Sequence, residues 1–130
     1  MSDIVLDASA ALAVVREEPG SDVVLQALAE GTGFISAVNL SEAISILIDR
    51  GMTHAEASLT LGALELAVIP FTESRASAAA ALRAATRALG LGLGDRACLA
   101  LGIEMGLPVL SGDRAWSRVD LGIQVKLIRP

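Results

Sequence analysis

Ile4-Val-Leu-Asp-Ala-Ser-Ala-Ala-Leu-Ala13 is the stretch on which the fold turns. Three apolar residues are too few for a helix and, standing together without alternation, suit a strand buried on both faces. Asp7 closes the run, and the alanine and leucine that follow are strong helix formers, predicting a helix from Ala8 to Arg16 that Glu17-Glu-Pro-Gly20 stops. Strand, acid, helix is the opening unit of a parallel α/β sheet.

The same rhythm continues outward. Ser21 is expected to cap a second helix ended by Gly31-Thr-Gly33, and Phe34-Ile-Ser36 forms a second strand. Asn39 opens an apolar helix to Arg50, and Thr53 opens another from His54 to Leu66. Ala67-Val-Ile69 is a third strand closed by Pro70, and an alanine-rich helix runs from Glu73 to Leu89. After Gly90-Leu-Gly-Leu-Gly94 come a helix from Asp95 to Met105, a fourth strand at Pro108-Val-Leu110, a turn at Ser111-Gly-Asp113, and a fifth strand at Val125-Lys-Leu127. Short apolar strands alternating with helices predict one α/β domain over residues 1–130, a parallel sheet covered on both faces.

Composition narrows the chemistry. Just over half the residues are apolar, which excludes a disordered chain. No uncharged apolar run approaches the roughly 20 residues that cross a bilayer, and Asp3 and Asp7 do not suit a signal peptide. A soluble cytoplasmic protein is expected, with no membrane partner. Cys98 is the one cysteine, in an apolar stretch, and fits a buried small hydrophobe. With His54 the one histidine, neither a two-histidine nuclease nor a Cys/His zinc site can be assembled within the chain. The net charge of −5 argues against a protein that coats nucleic acid with a broad positive field, but nine arginines leave room for local phosphate grips.

Four acids stand out: Asp7, Glu42, Asp95 and Asp113. Each has a structural explanation as a helix cap or turn residue; Glu42 follows Asn39 at capping-box spacing. Taken together, they fall after strands or at helix starts, the edge where open α/β sheets bind ligands. Two unscreened carboxylates about 4 Å apart repel by roughly 4 kcal/mol at an effective dielectric near 20. A cluster therefore calls for a cation or shared protons, and an all-oxygen set suits Mg²⁺ or Mn²⁺.

These acids sit in four segments that resemble PIN domains, particularly the VapC-type toxins of bacterial toxin–antitoxin pairs. Ile4 to Ala13 is similar to the opening motif, Ile35-Ser-Ala-Val-Asn-Leu-Ser-Glu42 to the second, Leu93-Gly-Asp-Arg-Ala-Cys-Leu-Ala-Leu101 to the third, and Val109-Leu-Ser-Gly-Asp-Arg-Ala-Trp116 to the fourth, in order. The resemblance implies a three-layer α/β/α fold with strand order 3-2-1-4-5, so that Asp7 and Asp113 meet at the switch point. It also implies a metal-dependent endoribonuclease, a cognate antitoxin, and a homodimer or higher toxin–antitoxin assembly. The chain departs from the pattern in carrying Ser111 where Thr is frequent. Ala115 and Trp116 follow the last aspartate where some relatives have another acid, which leaves a second cation one ligand short.

On this reading Asp7, Asp95 and Asp113 hold the cation and Glu42 completes the site or orients the attacking water, so no histidine base is required. Ser9 and Ser111 are candidate hydroxyls for orienting carboxylates, and equally turn and cap hydroxyls. Arg16, Arg96, Arg114 and Arg118 are candidate RNA contacts, each otherwise a solvated surface residue. Trp116 is expected in the core or an interface. The excess of apolar residues on the helix after Asn39 suggests a partner helix, a second copy, or simple burial. The alternative that keeps the fold is a catalytically inactive PIN-like module binding RNA or protein.

Overall fold

β1 (Ile4–Leu6) is buried at all three positions because it is the centre of the sheet. In the computed structural model, which describes residues 2–130, it pairs in parallel with β2 (Gly33–Ser36) on one side and β4 (Val109–Ser111) on the other. β3 (Ala67–Ile69) lies outside β2 and β5 (Val125–Leu127) outside β4, giving the order β3-β2-β1-β4-β5 with every pairing parallel. The register Val5 opposite Val109 and Leu6 opposite Leu110 carries Asp7 and the Ser111–Asp113 turn to the same edge. The chain leaves β1 toward β2 and β3, then crosses to the other side of β1, so the switch point lies between β1 and β4.

Alternation along the strands divides the core. Ile4, Leu6, Ile35 and Leu110 face a layer made by α1 (Ala8–Val15), α2 (Ser21–Glu30), α3 (Ala37–Asp49) and α4 (His54–Gly62). Val5 and Val109 face the other side, where α7 (Leu93–Met105) packs Cys98, Leu99 and Leu101 with Leu91 and Trp116. α5 (Glu73–Ala81) and the single turn α6 (Arg83–Thr86) lie beyond α7 in that layer. Gly102 lets α7 sit directly on β4, because a Cβ there would stand 2.6 Å from a methyl of Val109. Trp116 and Cys98 are fully buried, as their settings predict.

Several element bounds differ from expectation. Gly20, rather than Ser21, stands at the N-cap of α2. α3 begins at Ala37, not Asn39, because the Ser36 hydroxyl accepts from the backbone N–H of Val38 (3.2 Å). α4 stops at Gly62 rather than Leu66, although its predicted Thr53–Glu56 capping box is present. The alanine-rich helix breaks at Leu82: Thr86 turns its hydroxyl back on the Leu82 carbonyl (2.8 Å), and Arg87–Leu89 tightens into a 3₁₀ turn. α7 starts at Leu93, two residues before the predicted position. No described helix is long and apolar enough to cross a membrane.

Candidate active site

Asp7 follows the central strand and is nearly buried, 4 % exposed. Its two oxygens are divided between local and distant donors. Oδ1 accepts from the backbone N–H of Ala10 (2.8 Å) and the Ser9 hydroxyl (2.7 Å), capping α1. Oδ2 accepts from the Ser111 hydroxyl across the β1–β4 seam (2.6 Å). The cap and the site are therefore one residue, not alternatives. The two serines in turn hold the opposite turn: Gly112 N–H donates to Ser9 Oγ (2.8 Å) and Asp113 N–H to Ser111 Oγ (3.0 Å). Burial raises the Asp7 pKa to about 6, against the three hydrogen bonds that favour its charged form, and the charge of Asp95 adds to the rise.

Glu42 lies on the second turn of α3, displaced from the first turn by the earlier helix start. It makes no capping box with Asn39. Asn39 instead points its amide nitrogen at two acceptors, Glu42 Oε1 (2.9 Å) and the Gly94 carbonyl (2.9 Å), tying α3 to the start of α7. Because both partners accept, the amide orientation is chemically determined, and the Asn39 carbonyl oxygen is left buried without a donor. Gly94 permits the approach: a Cβ there would overlap the Glu42 carboxylate. Burial raises the Glu42 pKa; the Asn39 amide opposes this and the Asp95 charge reinforces it.

Asp95 occupies the first turn of α7, its carboxylate accepting from Gly92 N–H (2.9 Å). Its pKa too is raised, first by burial, then by the Asp113 charge, while Gly92 N–H, the Trp116 indole and Arg96 pull it down. Trp116 is wholly buried and its indole N–H makes no hydrogen bond, although it faces this carboxylate. Asp113 is more exposed and caps the 3₁₀ segment Arg114–Arg118 through Ala115 N–H (2.9 Å).

All four acids line one crevice of about 190 Å³, with Ser9 and Asn39 beside them and Leu12 and Ile46 as apolar walls. Among the described residues none of the four acids is in an ion pair, and no three acidic, cysteine or histidine side chains converge closely enough to hold a cation as they stand. Asp95 and Asp113 each accept from a local backbone N–H, and their like charges oppose a closer approach. The residues fit a divalent cation on two grounds, an all-oxygen donor set and three acids, Asp7 buried among them, raised in pKa with no paired counter-ion among the described residues. Asp7, Asp95 and Asp113 are the ones that would hold it.

The four arginines fall elsewhere. Arg16 pairs with Glu18 (3.3 Å), and Arg96 reaches over α5 to the Ala79 carbonyl (3.3 Å). Arg114 and Arg118 line a separate depression beyond Asp113. None borders the acid crevice. Asn39 and Gly94 were missed as site residues. The i, i+3 spacing of Asn39 and Glu42 placed them on one helix face, a signal the sequence carried, whereas the closeness of Gly94 is a tertiary contact with no local signature.

The PIN domain family model matches residues 4–121. No curated protein sequence matches the chain. Among solved structures it is similar to DNA-bound VapBC from Salmonella typhimurium, at 18% identity and TM-score 0.73 over 98% of this chain and 99% of that one. It is similar also to the sarcin-ricin loop cleaving toxin VapC20 of Mycobacterium tuberculosis, at 16% identity and TM-score 0.69 over 90% and 96%. VapBC-5 from the same organism aligns over the whole of both chains at 22% identity and TM-score 0.64.

Proposed function

Because the chain belongs to the PIN domain family, we propose that it is a metal-dependent endoribonuclease, the toxin of a toxin–antitoxin pair acting in the cytoplasm. The observation that carries this reading is the gathering of Asp7, Glu42, Asp95 and Asp113 from four elements into one crevice at the switch point, with none of them in an ion pair among the described residues. A module that only binds RNA or protein gains nothing from gathering mutually repelling acids around a buried Asp7.

Asp7, Asp95 and Asp113 would hold Mg²⁺ or Mn²⁺, which when bound activates water and stabilises charge on the attacked phosphate. The rest falls to the protein. Ser9 and Ser111 fix both oxygens of Asp7 and, through Gly112 N–H and Asp113 N–H, set the height of Asp113 across the seam. The Asn39 amide holds Glu42 toward the crevice, leaving its second oxygen free to orient water. Leu12 and Ile46 limit solvent on one wall. Hydrolysis by this route leaves a 5′-phosphate and a 3′-hydroxyl.

The proposed partners are an RNA substrate, a cognate antitoxin and a second copy of the chain. An open groove of about 640 Å³ along α3, lined by Val38, Ser41, Ser45 and Phe71, shares Glu42 and Ile46 with the acid crevice, so a segment laid there would reach the acids. Leu59 and Val68, exposed on α4 and the edge strand β3, supply apolar surface for self-association. The decisive experiment incubates the protein and Asp7→Asn with transfer and ribosomal RNAs, with Mg²⁺, Mn²⁺ or EDTA. Cleavage should need the cation and fall by about 10³-fold or more in the variant, the scale of losing one essential charge-stabilising group. Cleavage in EDTA, or undiminished cleavage by Asp7→Asn, overturns the mechanism.

A further inference from the structure

Beside the acid crevice, on the same carboxyl edge of the sheet, lies a depression of about 580 Å³. Its lining comes from the 3₁₀ segment after β4 and from the end of the chain after β5: Arg114, Ala115, Ser117, Arg118, Leu127 and Pro130. Arg114 and Arg118 are exposed, and among the described residues neither is in an ion pair. A third guanidinium lies against the turn that leads into this segment. Arg129 donates to the Pro19 carbonyl (2.9 Å) and lies over Gly112, where a Cβ would come within 2.6 Å of it. In a chain of net charge −5, two arginines therefore line this depression and a third stands against Gly112 of the Ser111–Asp113 turn.

We propose that this depression binds a backbone phosphate of the RNA strand that enters the acid crevice, with Arg114 and Arg118 as its ligands and the Ser117 hydroxyl beside them. The inference rests on the ribonuclease reading and adds to it a direction, since the strand would run along the sheet edge from the β1–β4 seam toward β5. The charge distribution is the reason. A cation neutralises the crevice locally, but phosphates to either side still approach a cluster of carboxylates and need positive charge of their own. Free guanidinium groups meet a phosphate bidentately, and Asp113 adjoins Arg114 in the chain, so both sites sit on one rigid turn. Leu127 and Ala115 form an apolar floor that suits a sugar face.

The test measures binding, so that it stands apart from cleavage. A fluorescent single-stranded RNA is titrated with Asp7→Asn protein in Mg²⁺ at several salt concentrations, its integrity checked on a gel. The same is done with Arg114→Gln/Arg118→Gln added, and with each single change. For single strands each lost phosphate contact flattens the slope of log K against log salt by about 0.7, which is about five-fold in affinity at 0.1 M salt. The double variant should therefore bind about 25-fold more weakly with a slope reduced by about 1.4, and a DNA strand of the same sequence should show the same change. Arg50→Gln, which removes the same one charge as either single change but at the C-terminal end of α3, should leave the slope unchanged. Thermal midpoints should be unaltered, since both side chains are exposed. Wild-type affinity and slope in the double variant, or an equal drop with Arg50→Gln, overturns the proposal and assigns the pair to solvent or to a protein partner. A wild-type protein that binds the RNA in Mg²⁺ without cleaving it would instead count against the chemistry of the crevice.

Discussion

The acid crevice and the basic depression are neighbours on one sheet edge and are built in opposite ways. The crevice draws its acids from residues 7, 42, 95 and 113, on four elements, and holds them by contacts as distant as Ser111 to Asp7 and Asn39 to Gly94. The arginines of the depression come from one five-residue 3₁₀ segment and stand in solvent. Buried charge is costly, so Asp7 and the buried Asn39 amide that holds Glu42 need partners at fixed positions and tolerate little displacement. Solvated charge is cheap and forgiving. Substitutions should therefore have large, cooperative effects in the crevice and small, additive ones in the depression.

The sharpest break in that contrast is predicted at Asn39. Asn39→Asp keeps the shape, removes both donated hydrogen bonds, and sets a buried carboxylate against Glu42 and the Gly94 carbonyl. Breaking a buried polar arrangement from one side typically costs about 3–5 kcal/mol. Chemical denaturation should show a loss of that size at pH 8, shrinking as the pH falls and the new acid is protonated. A change below about 0.5 kcal/mol would mean that α3 and α7 are not joined through this amide.

Gly94→Ala comes next. The added Cβ has no room unless Glu42 withdraws. Overpacking of this kind costs about 1–3 kcal/mol, and moving Glu42 should lower cleavage by on the order of 10²-fold, the scale of a 1 Å misplacement. Ala115→Ser, likewise the addition of one heavy atom but in the depression, should be close to neutral. Equal tolerance at both positions would remove the distinction between the two regions.

What could be read in the chain follows the same division. Strand positions were legible because three-residue apolar runs closed by Asp7, Pro70 or Ser111 have few other uses, and the PIN resemblance supplied their order. The four acids were legible as a set through their motifs. The helix starts at Ala8, His54 and Glu73 were legible too, but that of α3 was not: local spacing gave Asn39 a capping role, whereas the Ser36 hydroxyl captured the helix end and released Asn39 for a contact 55 residues away. The break at Leu82 was hidden for a similar reason. Alanine propensity differs from that of its competitors by only tenths of a kcal/mol per residue, so burial of Thr86 and its bond to the Leu82 carbonyl decide the path. The depression was legible only as separate arginines, since nothing in the sequence says that β5 ends beside the 3₁₀ segment.

The smallest effect predicted is in the pH dependence of the metal-free protein, and its sign separates the regions. Asp7 titrates near 6 when folded, against an ordinary 3.8, so between those values the folded chain binds more protons than the unfolded one. Its contribution to stability is full below about pH 4 and is lost as pH rises through 6. Glu42 and Asp95, both raised by burial, add in the same direction. For Asp7 alone the difference between pH 5 and pH 8 is about 1 kcal/mol. In EDTA the thermal midpoint should therefore be higher at pH 5 than at pH 8. Asp7→Asn should flatten the profile and raise the midpoint at pH 8, because it removes a charge that burial opposes. Arg114→Gln/Arg118→Gln should leave the profile alone. Mg²⁺ should restore the pH 8 midpoint in the wild type and do less for Asp7→Asn, since a bound cation stabilises the folded chain by mass action only where its ligands are intact. A midpoint that rises with pH in EDTA would mean the acids are held charged by partners within the fold, and the case for a cation would lose its electrostatic footing.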